Sequence, residues 1–214
     1  MGSRLRGNDG DGLSPAHCPD DPPLKANRVR IIGGEWRSRF ITFTDQKDLR
    51  PTPDRVRETL FNWLGQDLTG QRCLDLYAGS GALGFEAASR GAKQVVLVER
   101  ERSVRATLEA NRGALKALQV EVVQADALEF LRSDSRVYDV VFLDPPFADN
   151  PWDALFERLS PRLAPDAVVY RESGKIQPAP GGWLVHRQSR AGQVNYQLLK
   201  RITHDDQSGL PRHV

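Results

Sequence analysis

The sequence predicts an α/β protein in which a mostly parallel sheet is covered by helices on both faces and closed by an antiparallel hairpin. Three observations predict it. Between Arg72 and Tyr170, five short β-favouring segments alternate with helical patterns, as in a parallel sheet built from crossover units. The first segment runs into a glycine turn, Gly79-Ser80-Gly81-Ala82-Leu83-Gly84, which opens a helix. The fourth, Val140-Val141-Phe142-Leu143, ends in Asp144-Pro145-Pro146-Phe147. The prolines lack the N–H a strand needs, and Pro145 drives Asp144 toward an extended conformation, so the strand stops there.

Taken in order, residues 1–23 are polar and nearly free of apolar side chains, a composition expected of a disordered tail. The same holds for residues 204–214. Residues 24–66 are expected to form a basic hairpin and a helix. Arg28–Ile32 and Arg39–Phe43 are the strand candidates, with Gly33-Gly34 as the turn signal. Arg37 and Arg39, two apart, would share one face of an extended segment. Thr52 is placed to cap a helix starting at Pro53, with Asp54 in the first turn. Val56, Leu60, Phe61 and Leu64 then form the core stripe. That leaves Arg55 and Arg57 on other faces, free for a phosphate or a cofactor carboxylate.

The remaining domain, residues 67–203, carries the alternation. Its strands are Arg72–Tyr77, Gln94–Val98, Val120–Val123, the segment reaching Asp144, and Ala167–Tyr170. Helical patterns fall at Glu101–Leu118, Leu128–Leu131 and Trp152–Leu159, the last with Pro151 at a plausible first position. Trp183–Arg187 and Gln193–Lys200, either side of Ala191-Gly192, form the closing hairpin.

Composition narrows the function classes. The hydrophobic share is 39% and the charged share 27%, as in ordinary globular proteins. No apolar run approaches the ~20 residues that span a bilayer. The amino terminus has no charged-then-apolar secretion pattern, so a cytoplasmic protein is expected. Of the two cysteines, Cys18 lies in the polar tail and Cys73 in an apolar strand, so neither a disulfide nor a metal site is expected. Net charge is only +2, yet the segment from Leu24 to Leu60 holds nine bases against five acids. That local excess suits an anionic partner, but by itself it reads equally as the solvated face of a hairpin, since surface charge is the norm.

Gly79, Gly81 and Gly84 spell the nucleotide fingerprint, with Glu99 about twenty residues beyond. This loop alone leaves NAD and S-adenosylmethionine both open. The acids favour the latter. Asp75, just before the loop, would repel a pyrophosphate but attract the ammonium of a methionine moiety. Glu99 follows the second strand, where it can accept from ribose hydroxyls. Asp126 follows the third and can accept from an adenine amino group. The fourth strand's Asp-Pro-Pro-Phe is nothing that hydride transfer requires. The cofactor contacts expected are therefore Asp75, Tyr77, Gly79, Ser80, Gly81, Glu99, Asp126, Ala127 and Asp144. Local readings compete: Asp75 could cap locally, Asp126 could cap the helix at Leu128, and Glu99 could be a surface acid.

The chain from about Val29 to Arg201 resembles the bacterial small-subunit ribosomal RNA guanine-N2 methyltransferases of the RsmD type. The residues carrying this are Arg30 to Arg37 (Arg-Ile-Ile-Gly-Gly-Glu-Trp-Arg), Arg50 to Leu64, Asp75 to Glu86, Asp144 to Phe147, and Gly192 to Tyr196. The resemblance implies a class I, Rossmann-like methyltransferase with a seven-stranded sheet and S-adenosylmethionine as cofactor. It also implies one guanine of 16S rRNA as target, within a 30S particle or assembly intermediate. A monomer is expected, with no membrane partner. Residues before Leu24 have no counterpart in that family. Arg171-Glu172-Ser173 stands where a more acidic pattern is expected.

A planar base with an exocyclic amino group fits the proline turn. The Asp144 carboxylate and the Pro145 carbonyl can each accept one N–H, and Phe147 can stack on a base drawn out of its helix or loop. Arg37, Arg39, Arg50, Arg55 and Arg57 are the candidates for rRNA phosphates. Other classes remain open at this point: a methyltransferase for adenine N6 in DNA or for protein glutamine, an NAD-dependent oxidoreductase, and a catalytically silent RNA-binding assembly factor.

Overall fold

The structure, a computed structural model, describes residues 27–44, 51–146 and 152–202. Phe147, Arg50, Pro151 and both tails lie outside them.

A seven-stranded mixed sheet forms the centre. Its strands are β3 (Arg72–Asp75), β4 (Gln94–Glu99), β5 (Val120–Gln124), β6 (Tyr138–Leu143), β7 (Leu163–Ser173), β8 (Trp183–Ala191) and β9 (Val194–Arg201), in the order β5-β4-β3-β6-β7-β9-β8. The pairs from β5 through β7 are parallel, and β9 runs antiparallel to both β7 and β8. A two-residue turn, Gly192-Gln193, joins β8 to β9, with Gly192 at φ 59°; glycine reaches this region without a Cβ clash.

The strands have apolar residues on both faces because both are covered. On β4, Val95 and Leu97 enter one hydrophobic cluster and Val96 and Val98 the other. On β6, Val140 and Phe142 join the first, and Val141 and Leu143 the second. Helices α1 (Asp54–Leu64), α2 (Ala82–Ser89) and α3 (Arg102–Leu115) pack on the first face. Helices α4 (Ala127–Ser133) and α5 (Trp152–Leu159) pack on the second.

The amino-terminal hairpin pairs β1 (Asn27–Arg30) with β2 (Phe40–Phe43). It shares the first cluster through Val29, Ile31, Trp36 and Ile41. Hydrogen bonds tie it to α2, from Glu35 N to the Ser89 carbonyl at 2.7 Å and from Trp36 N to Ser89 Oγ at 2.9 Å.

Three local expectations are corrected. Thr52 does not cap α1: Pro53 takes the N-cap position, no side chain caps it, and the Thr52 hydroxyl points at Glu172. Arg37 and Arg39 do not share an extended face. They lie in the turn closed by Arg37 N to the Gly34 carbonyl and Arg39 N to the Trp36 carbonyl, with Ser38 at φ 68°. The fifth parallel strand is longer than Ala167–Tyr170 and runs on through Glu172.

Candidate active site

The chain steps from β3 outward to β4 and β5, then returns to place β6 on the other side of β3. Loops leaving β3 and β6 therefore diverge, opening a crevice at their carboxyl ends, where open α/β sheets bind ligands. Gly79 and Asp144 follow parallel neighbouring strands and so lie on the same rim.

Backbone conformation builds the glycine turn. Gly79 and Gly81 have φ of 47° and 77°, values that L side chains rarely adopt. Gly84 is demanded by packing instead, since a Cβ there would stand 2.1 Å from Leu97 Cδ2 on β4. Glu99 fixes the turn from β4 by accepting from Gly79 N at 3.1 Å, while its other oxygen accepts from Glu101 N at 2.8 Å. Asp126 caps α4, accepting from Leu128 N at 2.9 Å and Glu129 N at 3.2 Å through Oδ1. The local reading of Asp126, a helix cap, is thus present in the structure, whereas Glu99 is half-buried in the hydrogen bonds of the turn and is not a surface acid. A carboxylate offers about four lone-pair sites, so each retains capacity for a ligand hydroxyl or amine. Tyr77 is half-buried beside the crevice, and Ser80 and Ala127 are buried.

Three acids gather on one face of the rim. Asp75 pairs with Phe142, and Glu172 follows Tyr170 by two residues; both Phe142 and Tyr170 belong to the first cluster. Asp144 comes two residues after Phe142. Asp75 is buried and accepts backbone N–H bonds from Tyr77 and Gly84, yet burial still pushes its pKa up to about 7. Burial, followed by the charges of Glu172 and Asp75, holds Asp144 well above the usual carboxylate range. Glu172 is raised by burial, against hydrogen bonds from Tyr170 and Thr52 that lower it. Among the described residues no salt bridge reaches any of the three. Such a pocket favours a ligand carrying positive charge and disfavours a pyrophosphate.

Pro145 is buried behind Asp144, and Pro146 is exposed. Of the arginines offered for RNA, Arg37, Arg39 and Arg55 are exposed, and Arg39 also donates to the Ala114 carbonyl at 2.8 Å. Arg57 is corrected. It is fully buried, held by Glu86 at 3.1 Å and Asp54 at 2.6 Å, because the first turn of α1 aims it at α2. No phosphate can reach it.

Glu172, Tyr170 and Thr52 were not among the predicted site residues. The rule that found the other acids, a carboxylate at the carboxyl end of a strand, would also have found Glu172 had the fifth strand been extended past Tyr170. Nothing local in Arg50–Pro53 announces that Thr52 reaches across to β7.

Sheet order, glycine turn and rim acids together make this a class I, Rossmann-like methyltransferase fold. The chain belongs to the family described as Conserved hypothetical protein 95, whose model matches residues 29–200, and with it to the relatives of ribosomal RNA small subunit methyltransferase D. It is 42% identical to that protein from Escherichia coli over 181 residues, 82% of this chain and 91% of the relative. To the Haemophilus influenzae protein of the same name it is 41% identical over 186 residues, 83% and 96% of the two chains. The solved structure of yhhF from Escherichia coli superposes with a TM-score of 0.74 at 43% identity, covering 82% of this chain and 98% of that one. A Thermus thermophilus 16S rRNA N2 methyltransferase, solved with AdoMet and guanosine, has a TM-score of 0.65 at 23% identity, covering 85% and 52%. At that identity it supports the fold alone.

Proposed function

We propose that this protein transfers a methyl group from S-adenosylmethionine to the exocyclic N2 of one guanine in 16S rRNA, within a 30S particle or assembly intermediate. The reading takes it to act as a monomer in the cytoplasm. The observation that carries it is the meeting of the glycine turn after β3 with the Asp144-Pro145-Pro146 turn after β6, at the point where the strand order reverses. Relatives named as small-subunit rRNA methyltransferases support the substrate class. No helix among the described residues is long and apolar enough to cross a membrane.

The residues present fit the cofactor. Gly79 and Gly81 let backbone approach a nucleoside, Asp75 lies behind the turn as a counter-charge for an ammonium, and Glu99 and Asp126 end the next two strands. S-adenosylmethionine supplies an electrophilic sulfonium methyl. The chain's own task is to present the amine. A guanine amino group is a weak nucleophile because its lone pair is delocalised into the ring. Asp144 and the Pro145 carbonyl would each accept one N–H, which lets the nitrogen pyramidalise and aim its lone pair. The gain comes from positioning and electrostatics. Phe147 keeps its proposed stacking role on sequence grounds. Arg37, Arg39 and Arg55 would bind phosphates, with the hairpin as an RNA-binding extension of the domain.

The test is methylation of unmodified 30S particles with labelled cofactor, followed by mass mapping of the product nucleoside. N2-methylguanine at one site is expected. Label in DNA, in protein or at adenine N6 would reject the substrate, and no label in any pool would reject the enzyme.

A further inference from the structure

Glu172 has no part in the reaction outlined above, yet it stands beside the Asp144 turn. Leu143 pairs with Arg171, so Asp144 and Glu172 are the next residues along two neighbouring strands. Glu172 is buried, and its Oε1 receives two hydroxyl donors, Tyr170 at 2.8 Å and Thr52 at 3.2 Å. Burial raises its pKa, and both donors act against that by favouring its anionic form. They come from different parts of the chain, so Glu172 is gripped between β7 and the turn entering α1.

Among the described residues no cation pairs with it. Arg171, its neighbour, turns to the opposite face against Trp152 and Phe156 and donates to Gln197. Arg57, whose Nε donates to the Thr52 carbonyl at 3.2 Å, is committed to Glu86 and Asp54. Among the described residues, the titratable groups around Glu172 are Asp144 from the end of β6, Asp75 from β3, Tyr170 on its own strand and Tyr196, its partner on β9.

We propose that Glu172 is a positioning residue for methyl transfer: an anion clamped by Thr52 and Tyr170 that makes Asp144 the acceptor for the proton the target amine must lose. The inference rests on the methyl-transfer reading. As the new N–C bond forms, the C–S bond breaks and its electron pair leaves with sulfur. The methylated nitrogen then carries a surplus proton, which passes to the Asp144 carboxylate and on to solvent. A nearby fixed negative charge strengthens that base. Asp144 is raised first by burial and then by the charge of Glu172, the direction this requires.

The experiment is the pH dependence of kcat for transfer to unmodified 30S particles, from about pH 5 to about pH 9, where carboxylate-dependent rates show an acid limb. In Glu172→Gln the Asp144 carboxyl loses a neighbouring negative charge. The acid limb is expected to move about one unit lower, with a reduced plateau. Thr52→Val, which removes one donor and keeps the carboxylate, should move it the same way by less, and it serves if Glu172→Gln fails to fold. A uniform loss of rate with the limb unmoved in both variants would overturn the proposal. Wild-type protein that transfers no methyl group would remove the functional reading and this proposal together, whereas active wild type with an unmoved limb removes only this one.

Discussion

Glu86 and the rim acids Asp75, Glu172 and half-buried Asp144 lie against the same face of the sheet with opposite surroundings. Glu86 on α2 is fully buried and fully answered. Arg57 and Arg90 pair with it at 3.1 and 2.8 Å, and the backbone N–H groups of Ile32 and Gly33 donate at 2.9 and 2.8 Å. It ties α1, α2 and the amino-terminal hairpin into one body. Asp75, Asp144 and Glu172 at the rim receive hydroxyl and backbone donors or none, and among the described residues no cation pairs with them. Burying an anion unpaired costs several kcal/mol. Among the described residues, one buried carboxylate is fully neutralised and three rim acids have no cation, an arrangement that fits the ligand site proposed above.

That contrast breaks most sharply at Asp144. Asp144→Ala should lower methyl transfer by about 10²–10³-fold, the scale of removing one preorganised polar group. Cofactor affinity by calorimetry should stay within a few-fold. If both activity and affinity survive, the rim acids are not a reaction site.

Glu86→Gln tests the other side. It leaves Arg57 and Arg90 buried without their counter-charge and should cost about 3–5 kcal/mol in denaturant unfolding. A loss under about 1 kcal/mol would show that the network adds little, as most exposed ion pairs do.

Asp75 sharpens the comparison through pH. Its folded-state pKa, about 7, lies above the ordinary value of 3.8, so folding favours the protonated form. Stability from this group is fully present below 3.8 and is lost as pH rises through about 7. Asp75→Asn should therefore melt higher than wild type at pH above 7, with the advantage shrinking toward acid, while binding S-adenosylmethionine less tightly. An advantage independent of pH would mean that the carboxyl is not titrating there.

The smallest expected effect is at the hairpin. Replacing Arg37 and Arg39 by Ala should weaken RNA binding and lower its log–log salt slope by about one for each phosphate no longer neutralised. An unchanged slope would place the RNA elsewhere.

The alternation of β-favouring and helical segments, the glycine turn and the proline stop are local patterns. Each is set by periodicity, by φ preference or by a missing N–H, so the sheet, its closing hairpin and the positions of Asp75, Glu99, Asp126 and Asp144 at strand ends were legible in the sequence itself. What the sequence left open was pairing between distant residues. Arg57 looked free because helix periodicity places a side chain on a face without naming its neighbour, and only packing of α1 on α2 delivered Glu86 to it. Thr52 looked like a cap because its neighbours fit one, and only the approach of α1 to β7 gave its hydroxyl a carboxylate. Local chemistry fixed where each acid stands. Which of them meets an arginine and which stays uncompensated was decided by tertiary contacts between segments up to 120 residues apart, since electrostatic partners are set by distance in space and not along the chain.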